Sequence, residues 1–417
     1  MAHFWQGLRS GNWLSARRAR NYGLILLVVY MAAIVGWIAL SNGLIDRNGK
    51  PIGTDFSSFY AAGSLVLEGH AGEVYNIAAH YAREQQLFGA ATPYFGWFYP
   101  PIFLFLAAPL ALLPYLLALA VWQGVTFALY LAVIAAILRD LRRSSGTIAR
   151  IWLLAAAAFP AVFINLGHGQ NGFLTASLLG SALLTLPQRP LLSGVLFGLL
   201  AYKPQFALVI PCALLAAGQW RTIFAAAATV IVLVGAAYLA FGPDIWWSFA
   251  ASTETSRKLL LEQGDVGFEK LQSVFAAIRL WGGGISLAYV VQAAVSVTAI
   301  ASTAWVWRAS VDYRLKAALL MVATLLGSPH ALDYDLMIMA PAIAFFIAAS
   351  MSGGFRDCEI SLLAMTWMAP LLARGLAGAI GIPLGLMAII TLYALLMRRA
   401  LLDREIIAAT IHKIAQA

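Results

Sequence analysis

The chain has 417 residues, of which 62% are apolar and only 11% are charged. Because soluble domains carry about 25% charged residues, this composition excludes an ordinary soluble protein and indicates an integral membrane protein. The net charge is +9, from 27 basic and 18 acidic residues, and such an excess is typical of positive cytoplasmic loops. The sequence shows no basic patch with interleaved aromatic residues, so we predict no nucleic-acid partner.

The apolar runs predict membrane-spanning helices. The first run, residues 22–41, does not alternate apolar and polar residues, whereas the strands of a membrane β-barrel alternate with period two. We therefore predict an all-α integral membrane protein with a single transmembrane domain, residues 1–417. Several predicted spans are shorter than the roughly 20 residues that a full crossing needs. About twelve spans are predicted, at residues 22–41, 116–138, 151–166, 172–187, 191–202, 205–219, 222–241, 285–306, 315–328, 335–351, 360–373 and 376–397.

The distribution of charge predicts which loops face the cytoplasm. The first 21 residues carry four arginines and no acid, and residues 139–150 carry four arginines and one acid. Both should be cytoplasmic, and the spans then place both termini on that side. Residues 42–97, the first loop, hold five acids against three bases, and residues 242–283, the second loop, hold slightly more acids than bases. We predict that both loops are periplasmic and that the first contains interfacial helices.

Two further segments are predicted not to cross the membrane. If the N-terminus and residues 139–150 share one side, only one full span fits between the first loop and Arg139. Residues 99–114 are short and proline-rich, so we predict a re-entrant or interfacial helix there. Irregular backbone at membrane depth is tolerated where it is buried in protein or lines a cavity, which points to a cavity. The tail, residues 398–417, has apolar residues at helical spacing and is predicted to be a cytoplasmic interfacial helix.

Four polar turns fall on the predicted outer side. They are "GTDF" around Asp55, "GHGQN" at residues 167–171, "YKPQ" at residues 202–205 and "SPHALDYD" at residues 328–335. Ionisable groups at membrane depth are costly and tend to mark sites or pathways. The shared side therefore predicts one functional site. Its polar residues would be Asp55, His168, Gln170, Asn171, Lys203, Gln205, His330, Asp333 and Asp335.

Each of these residues also has a purely structural interpretation. Asp55 fits the N-cap of an amphipathic helix that ends at Gly69. His168 fits an ordinary polar turn, and Lys203 fits a side chain that extends to the membrane interface. The remaining interpretations are a helix cap for His330, first-turn acids for Asp333 and Asp335, and an interfacial aromatic belt for Trp97, Tyr99, Trp246 and Trp247.

The sequence offers no motif for a metal or a nucleotide. The histidines are scattered, the acids are not interpreted as the paired DxD of a nucleotide-sugar metal site, and no P-loop is present. Cys212 and Cys358 lie far apart and suggest no disulfide framework. We predict no metal and no cofactor. A site on the outer side has no nucleotide supply, so its donor would already be in the membrane.

Several of these features, taken in order, resemble glycosyltransferase family 87. They are Asp55 after the first span, "YPP" at residues 99–101, Trp122, "GQN", "KPQ", "QS" at residues 272–273 and "SPH" near residue 330. The resemblance covers residues from about 50 to 340. Members are multispanning enzymes of the GT-C type and include polyprenyl-phosphate-mannose-dependent mannosyltransferases, such as the mycobacterial phosphatidylinositol-mannoside mannosyltransferase. The spans after residue 340 carry no matching feature.

The resemblance implies a GT-C-like bundle in the bacterial inner membrane and a polyprenyl-phosphate sugar donor. Mannose is the first expectation for the sugar, and a glycolipid or glycan on the periplasmic side would be the acceptor. Asp55 would be the general base of an inverting displacement. Lys203, or else His330, would offset the charge of the leaving phosphate, although His330 would alternatively assist the acceptor. The rest of the implied substrate-binding set is Gln170, Asn171, Gln272, His168, Gln205 and Tyr99.

Two other functions remain open from the sequence. A transporter or flippase of lipid-linked sugars would also have about twelve spans and a polar cavity. Many transporters have related halves with broken helices at matching positions, and this chain shows no such symmetry. Its long first loop is also unusual for a carrier. A non-catalytic scaffold is the third interpretation, and it predicts that Asp55, Lys203 and His330 are dispensable together.

Overall fold

The computed structural model describes residues 2–351 and 353–416. The chain is 78% helical, and its described residues contain no β-strand, which confirms the predicted all-α membrane protein.

Short 3-10 helices occupy Ala71–Tyr75, Pro101–Phe103, Leu200–Tyr202, Pro204–Leu208, Phe268–Lys270 and Asp333–Ile338, and a π-helix occupies Arg257–Gln263. The α-helices of the described part are α1 (Ala2–Ser10), α2 (Ala16–Ala39), α3 (Thr54–Leu67), α4 (Ile77–Phe88), α5 (Leu104–Ala111), α6 (Tyr115–Ile137), α7 (Arg139–Ser144), α8 (Gly146–Ala157), α9 (Pro160–His168), α10 (Gly172–Thr185), α11 (Pro190–Leu199), α12 (Val209–Ala216), α13 (Trp220–Phe241), α14 (Asp244–Ser256), α15 (Val274–Leu280), α16 (Ile285–Arg308), α17 (Tyr313–Leu326), α18 (Met339–Ser350), α19 (Glu359–Ile380) and α20 (Leu384–Gln416).

Within the described residues, seven helices are long and apolar enough to cross a membrane. They are α2, α6, α13, α16, the unit Asp333–Ser350, α19 and the Leu384–Asp403 part of α20. Helices α8 and α9, bent by 40° at a short break, form an eighth candidate. The other predicted spans coincide with shorter helices, such as α10 and α17 with 14 residues each. The number of twelve spans therefore stays a prediction.

The bundle is built around one fully buried helix. The apolar window of Asp333–Ser350, which contains α18, is entirely buried, whereas only 11% of the α2 window and 6% of the α13 window are buried. Helices α17, α6 and α10 pack against α18. A helix that is apolar on all sides is either a core element or faces lipid, and both kinds occur here. The central helix carries the polar turn at residues 328–335 on its N-terminal end, so that turn lies inside the protein.

The short helices end at polar turns on one end of the bundle. Proline stands at the start of α9, α11 and the 3-10 helix Pro204–Leu208, where its missing N–H and fixed φ are tolerated. Lys203 occupies the break between two 3-10 helices. The predicted interruption at "YKPQ" is thus present, and its Tyr202 and Lys203 are buried.

The two loops pack on each other at this same end. In the first loop, α3 packs against α5 so closely that a Cβ on Gly63 would lie 2.2 Å from the Ala107 oxygen. In the second loop, α14 packs on the first loop, with the Tyr75 and Phe249 rings 5.8 Å apart. A backbone bridge between Leu271 and Leu332 joins the second loop to the turn before α18.

One interpretation is wrong and another prediction stays open. Helix α20 continues without a break from Leu384 to Gln416, and whether residues 398–417 lie at the membrane interface stays a prediction. Trp97 is not part of an interfacial belt, since it is only 2% exposed. Trp247 is 76% exposed, as a belt residue would be. Cys212 and Cys358 are both free thiols.

Candidate active site

A cavity of about 420 Å³ opens where the four polar turns meet. Its volume lies within the range of about 300–1,000 Å³ that is usual for ligand sites. The second loop forms one wall, and the first loop together with the turns before α10 and α18 forms the others. Eight of the residues predicted for the site line this cavity, namely Asp55, Tyr99, His168, Gln170, Lys203, Gln205, His330 and Asp333.

Asp55 lies inside the first turn of α3. The N-cap is Gly53, whose φ of 72° is in the left-handed region that favours glycine, and Asp55 is the second helical residue. The interpretation of Asp55 as the N-cap is therefore wrong. The side chain is 30% exposed and lines the cavity. The N-terminus of a helix stabilises a negative charge, so this position suits a carboxylate that must stay ionised beside bound substrate.

The two carboxylate oxygens of Asp55 have different surroundings. Gln170 Nε2 donates a hydrogen bond to Oδ2 at 3.0 Å. The other oxygen, Oδ1, lies 3.4 Å from the Thr54 hydroxyl and 3.8 Å from His168 Nδ1. Thr54 Oγ1 and His168 Nδ1 are themselves 2.8 Å apart. One oxygen is thus held by an amide, and the other has only long contacts and remains free to accept a proton.

The Gln170 amide is held in one orientation. Its Oε1 accepts hydrogen bonds from the Tyr99 hydroxyl at 3.0 Å and from the Asn171 backbone N–H at 3.1 Å. Because both of these donors need an acceptor, the Gln170 amide oxygen must face them, and the Gln170 NH₂ group therefore faces Asp55. Burial raises the pKa of Tyr99, so its hydroxyl stays protonated and donates. Tyr99, Gln170 and Asp55 therefore form a chain of hydrogen bonds that ends at the carboxylate.

The backbone of the "GHGQN" turn is also fixed from behind. Gln123 Nε2 and Asn165 Nδ2 both donate to the Gln170 carbonyl, at 3.1 and 3.0 Å. Trp122 Nε1 donates to the Gly169 carbonyl at 3.1 Å. These donors come from α6 and α9, so the turn is held to the bundle and is not a mobile surface loop. This gives Trp122 a physical role, because its indole positions the turn that carries Gln170.

Lys203 is buried inside the protein and paired. Its ammonium forms an ion pair with Asp335, and the two side chains are 2% and 1% exposed. The ammonium also lies over the Tyr334 ring, 5.0 Å from its centre. The interpretation of Lys203 as reaching the membrane interface is therefore wrong. The charge of Lys203 is already balanced by Asp335. To bind a phosphate, the Lys203 ammonium would have to contact the phosphate and Asp335 together, or leave Asp335 for the phosphate.

His330 faces the cavity as a neutral ring. Burial lowers its pKa to about 4, so at pH 7 it acts as a hydrogen-bonding group and not as a cation. It does not cap the next helix, because Leu332 occupies the N-cap of Asp333–Ile338. Asp333 and Asp335 lie in the first turn of that 3-10 helix, as predicted, and Asp333 also lines the cavity.

Asn171 and Gln272, both predicted for the site, do not reach the cavity. Asn171 is fully buried, and within the described part of the chain neither side-chain polar atom has a hydrogen-bond partner. Gln272 is turned away from the cavity. Its Nε2 donates to the carbonyls of Glu269 at 3.2 Å and Lys270 at 3.1 Å. Gln272 therefore braces the second loop, and a direct role for either residue stays a prediction.

The sequence analysis missed the wall that the second loop forms. It contains the side chains of Phe249, Ser252, Ser256, Asp265 and Lys270. A weak signal exists, because residues 249, 252 and 256 share one face of a helix at spacings of three and four. Neither acid count nor hydropathy indicates which loop residues face inwards.

A buried acid and histidine behind the cavity were also missed. His80 and Glu84, four residues apart on α4, are both fully buried. Burial lowers the pKa of His80 to about 4 and raises that of Glu84 to about 8, so both are largely neutral at pH 7. Glu84 Oε2 accepts from the Phe95 backbone N–H at 3.0 Å, and His80 Nε2 lies 3.2 Å from Ser58 Oγ. The pair holds the Tyr94–Gly96 stretch of the cavity wall against α3.

Within residues 2–351 and 353–416, no three His, Cys, Asp or Glu side chains are arranged to hold a metal ion. The absence of a metal and of a cofactor therefore stays a prediction. Asp55, Asp265 and Asp333 are the carboxylates that line the cavity in the described structure.

Comparison with known families gave one match. The model of Glycosyltransferase family 87 matches residues 97–329, which is more than half of the 417 residues. The matched stretch includes Tyr99, Gln170 and Lys203, and Asp55 and His330 lie outside it. Comparisons with curated proteins and with solved structures gave no match.

Proposed function

The chain belongs to glycosyltransferase family 87, and we propose that this membrane glycosyltransferase moves a sugar from a polyprenyl-phosphate donor to an acceptor hydroxyl in the cavity. The observation that carries the proposal is the hydrogen-bonded chain Tyr99–Gln170–Asp55, which ends at a carboxylate in a cavity inside a membrane protein. Such a chain orients a carboxylate in the cavity. An acceptor hydroxyl needs a base of this kind to take its proton as it attacks the donor.

In the proposed reaction Asp55 is the general base. Oδ1 takes the proton of the acceptor hydroxyl while that oxygen attacks the anomeric carbon of the donor. The bond between the anomeric carbon and the phosphate oxygen breaks, and the phosphate leaves with the electron pair, so the anomeric configuration inverts. A positioned base contributes about 10²- to 10⁴-fold to such a step. The Thr54 hydroxyl lies 2.8 Å from His168 Nδ1 and 3.4 Å from Oδ1, so its closer contact is with the histidine and not with the oxygen that takes the proton.

The donor would reach the cavity from the membrane. The helix Pro101–Ala111 is too short to cross and begins two residues after Tyr99, which lines the cavity. Its Phe105 and Leu106 are exposed apolar side chains, and the Phe105 ring lies 5.0 Å from that of Phe241 on α13. We propose that the prenyl chain lies along this surface, with its phosphate at the cavity. This supports a lipid-linked donor over a soluble one.

Mannose as the sugar, a glycolipid or glycan as the acceptor and a periplasmic site in a bacterial inner membrane are further parts of the proposal. Gln205, His168 and His330 would contact the substrates, because all three line the cavity. Cytoplasmic termini follow from the arginine-rich ends. Cysteine labelling in a variant without Cys212 and Cys358 tests this orientation: Ser145→Cys should be protected from an impermeant reagent in intact cells, and Asn48→Cys should be labelled.

The test of the function is sugar transfer by the purified protein. Radiolabelled polyprenyl-phosphate sugars, with mannose first and glucose and a pentose as comparisons, are incubated with a lipid extract of the host. Label in a new product supports the proposal. Sealed proteoliposomes loaded with the donor provide the second arm. Movement of unreacted donor across the bilayer, with no transfer in either arm, would contradict the proposal and favour a flippase.

A further inference from the structure

A leaving phosphate needs a cation, and the candidates that line the cavity are few. A transition state that releases an anion is stabilised by preorganised positive charge. Two lysines, Lys203 and Lys270, line the cavity. Lys203 is neutralised by its buried pair with Asp335. His330 is neutral at pH 7, because burial lowers its pKa to about 4. Lys270 is the remaining lysine.

Lys270 forms no ion pair with a carboxylate within the described part of the chain. It is half-buried at the end of the 3-10 helix Phe268–Lys270 and faces the same cavity as Asp55. Asp55 and Asp333 attract its charge from across the cavity, whereas burial and Arg374 oppose it and lower its pKa. A cation that is held near carboxylates but bonded to none of them is available to a ligand.

The backbone at Lys270 is fixed from within the second loop. Gln272 Nε2 donates to the Lys270 carbonyl at 3.1 Å and to the Glu269 carbonyl at 3.2 Å. The Gln272 backbone N–H donates to the Ala331 carbonyl at 2.7 Å. The same stretch forms the bridge between Leu271 and Leu332. Lys270 is therefore tied to the turn that carries His330 and Asp333.

The C-terminal helices also support this part of the second loop, residues 269–272, which we call the Gln272 clamp. A Cβ on Gly385 of α20 would lie 1.9 Å from Gln272 Oε1, so only glycine leaves room for the Gln272 amide. At the end of the loop, Trp281 Nε1 donates to the Gly381 carbonyl at 2.8 Å. These contacts give the spans after residue 340 a structural role, because they hold the loop that presents Lys270.

We infer that Lys270, presented by the Gln272 clamp against Gly385, is the anion subsite of the cavity and binds the phosphate ester of the prenyl donor. The inference rests on the proposed function, because that function supplies the identity of the ligand. Its test is independent of that function, since binding of a phosphate ester is measured without sugar transfer. Gln272 acts as a positioning residue, because its amide donates to the Lys270 carbonyl. Gly385 acts on Lys270 only through Gln272, and neither residue lines the cavity.

The test is binding of farnesyl phosphate to the purified full-length protein by calorimetry, with farnesol and inorganic phosphate as separate ligands. The wild type should bind farnesyl phosphate more tightly than farnesol. Lys270→Met should weaken farnesyl phosphate binding by at least about tenfold, the usual effect of losing one charge-assisted contact, and leave farnesol binding unchanged. Lys270→Arg should retain most of the affinity. Lys258→Met removes a lysine of the same loop that is about half exposed and paired with Glu254, and it should have no effect.

Several results would overturn the inference. One is equal binding of farnesyl phosphate by wild type and Lys270→Met, and another is no preference of the wild type for farnesyl phosphate over farnesol. If inorganic phosphate binds as tightly as farnesyl phosphate, the subsite is not one for a lipid phosphate. Gly385→Ala keeps Lys270 but displaces Gln272, so it should weaken farnesyl phosphate binding, and addition of Gln272→Ala to it should restore part of the loss.

Discussion

Gln170 donates a hydrogen bond from Nε2 to Oδ2 of Asp55 at 3.0 Å, between residues that are 115 positions apart. This contact joins the first loop to the turn between α9 and α10. It explains why an acid follows "GT" in a very apolar chain. The carboxylate belongs to a cavity that is assembled from distant parts of the sequence, and its orientation depends on an amide that Tyr99 in turn orients.

Replacement of Gln170 by alanine should lower kcat about 10- to 100-fold and change KM little. The reason is that a hydrogen bond to a charged group is worth about 1.5–3 kcal/mol, and here the bond orients a base instead of binding substrate. Sugar-transfer kinetics of the purified variant measure this. Gln205→Ala is the matched control, since Gln205 lines the same cavity without a hydrogen bond to Asp55. An unchanged kcat in Gln170→Ala would disprove the orienting role.

Replacement of Lys203 by methionine should destabilise the fold by about 3–5 kcal/mol, because it leaves Asp335 as an unpaired buried charge. The double variant Lys203→Met, Asp335→Leu should recover much of this loss, since both charges are removed together. Thermal unfolding in detergent gives the comparison. If the double variant were less stable than Lys203→Met alone, the pair would not be the source of the loss.

Replacement of Glu84 by glutamine should change how stability depends on pH. The pKa of Glu84 is raised from 4.5 to about 8 in the folded protein, so the free energy of unfolding falls as pH rises from 4.5 towards 8. His80, with its pKa lowered from 6.5 to about 4, has the opposite effect below pH 6.5. Between pH 6.5 and 8 the wild type should lose stability relative to Glu84→Gln.

Thermal unfolding at several pH values in that window measures the difference. The groups that act on Glu84 are the Phe95 N–H and Ser57, which favour its charged form, and Asp55, which opposes it. Gln86→Ala, on the same helix at an exposed position, changes no titratable group and should give a difference that does not vary with pH. A pH-independent difference for Glu84→Gln as well would show that Glu84 is already ionised in the fold.

Replacement of Gly63 by alanine should displace α5 from α3. A Cβ there would lie 2.2 Å from the Ala107 oxygen, which is backbone and has no freedom to move alone. We expect a lower unfolding temperature and reduced sugar transfer, because α5 follows directly on the cavity wall. Gly124→Ala is the control, since no atom lies within 4 Å of its Cβ position. Equal unfolding temperatures for the two variants would contradict this packing.

The general location of the site was predictable from the sequence. Apolar runs and arginine-rich turns together order the loops by side, and that order is enough to bring Asp55, Gln170, Lys203 and His330 to one end. Depth is less predictable. The sequence favoured an interfacial position for Trp97 and left one open for Lys203, and both are buried. Trp97 packs against Phe59 of α3, and Lys203 pairs with Asp335.

The pairing of charges was not predictable. Lys203 and Asp335 are 132 positions apart, and only the packed structure shows that each neutralises the other. The position of Lys270 in the cavity wall was also not predictable, because a lysine in a loop ordinarily faces solvent. The exact start of α3 was not predictable either. The sequence allowed Asp55 as the N-cap, whereas the N-cap is Gly53, two positions earlier, with a left-handed φ.

The most direct test of the central claim compares Asp55→Asn with Asp333→Asn in sugar transfer from radiolabelled polyprenyl-phosphate-mannose to a host lipid extract. Both carboxylates line the cavity, and both variants keep the side-chain shape. If Asp55 is the base, Asp55→Asn should lose about 10²- to 10⁴-fold in rate, while Asp333→Asn stays within about tenfold of the wild type. Transfer at the wild-type rate by Asp55→Asn, with the loss found in Asp333→Asn, would assign the base to the other carboxylate and contradict this account.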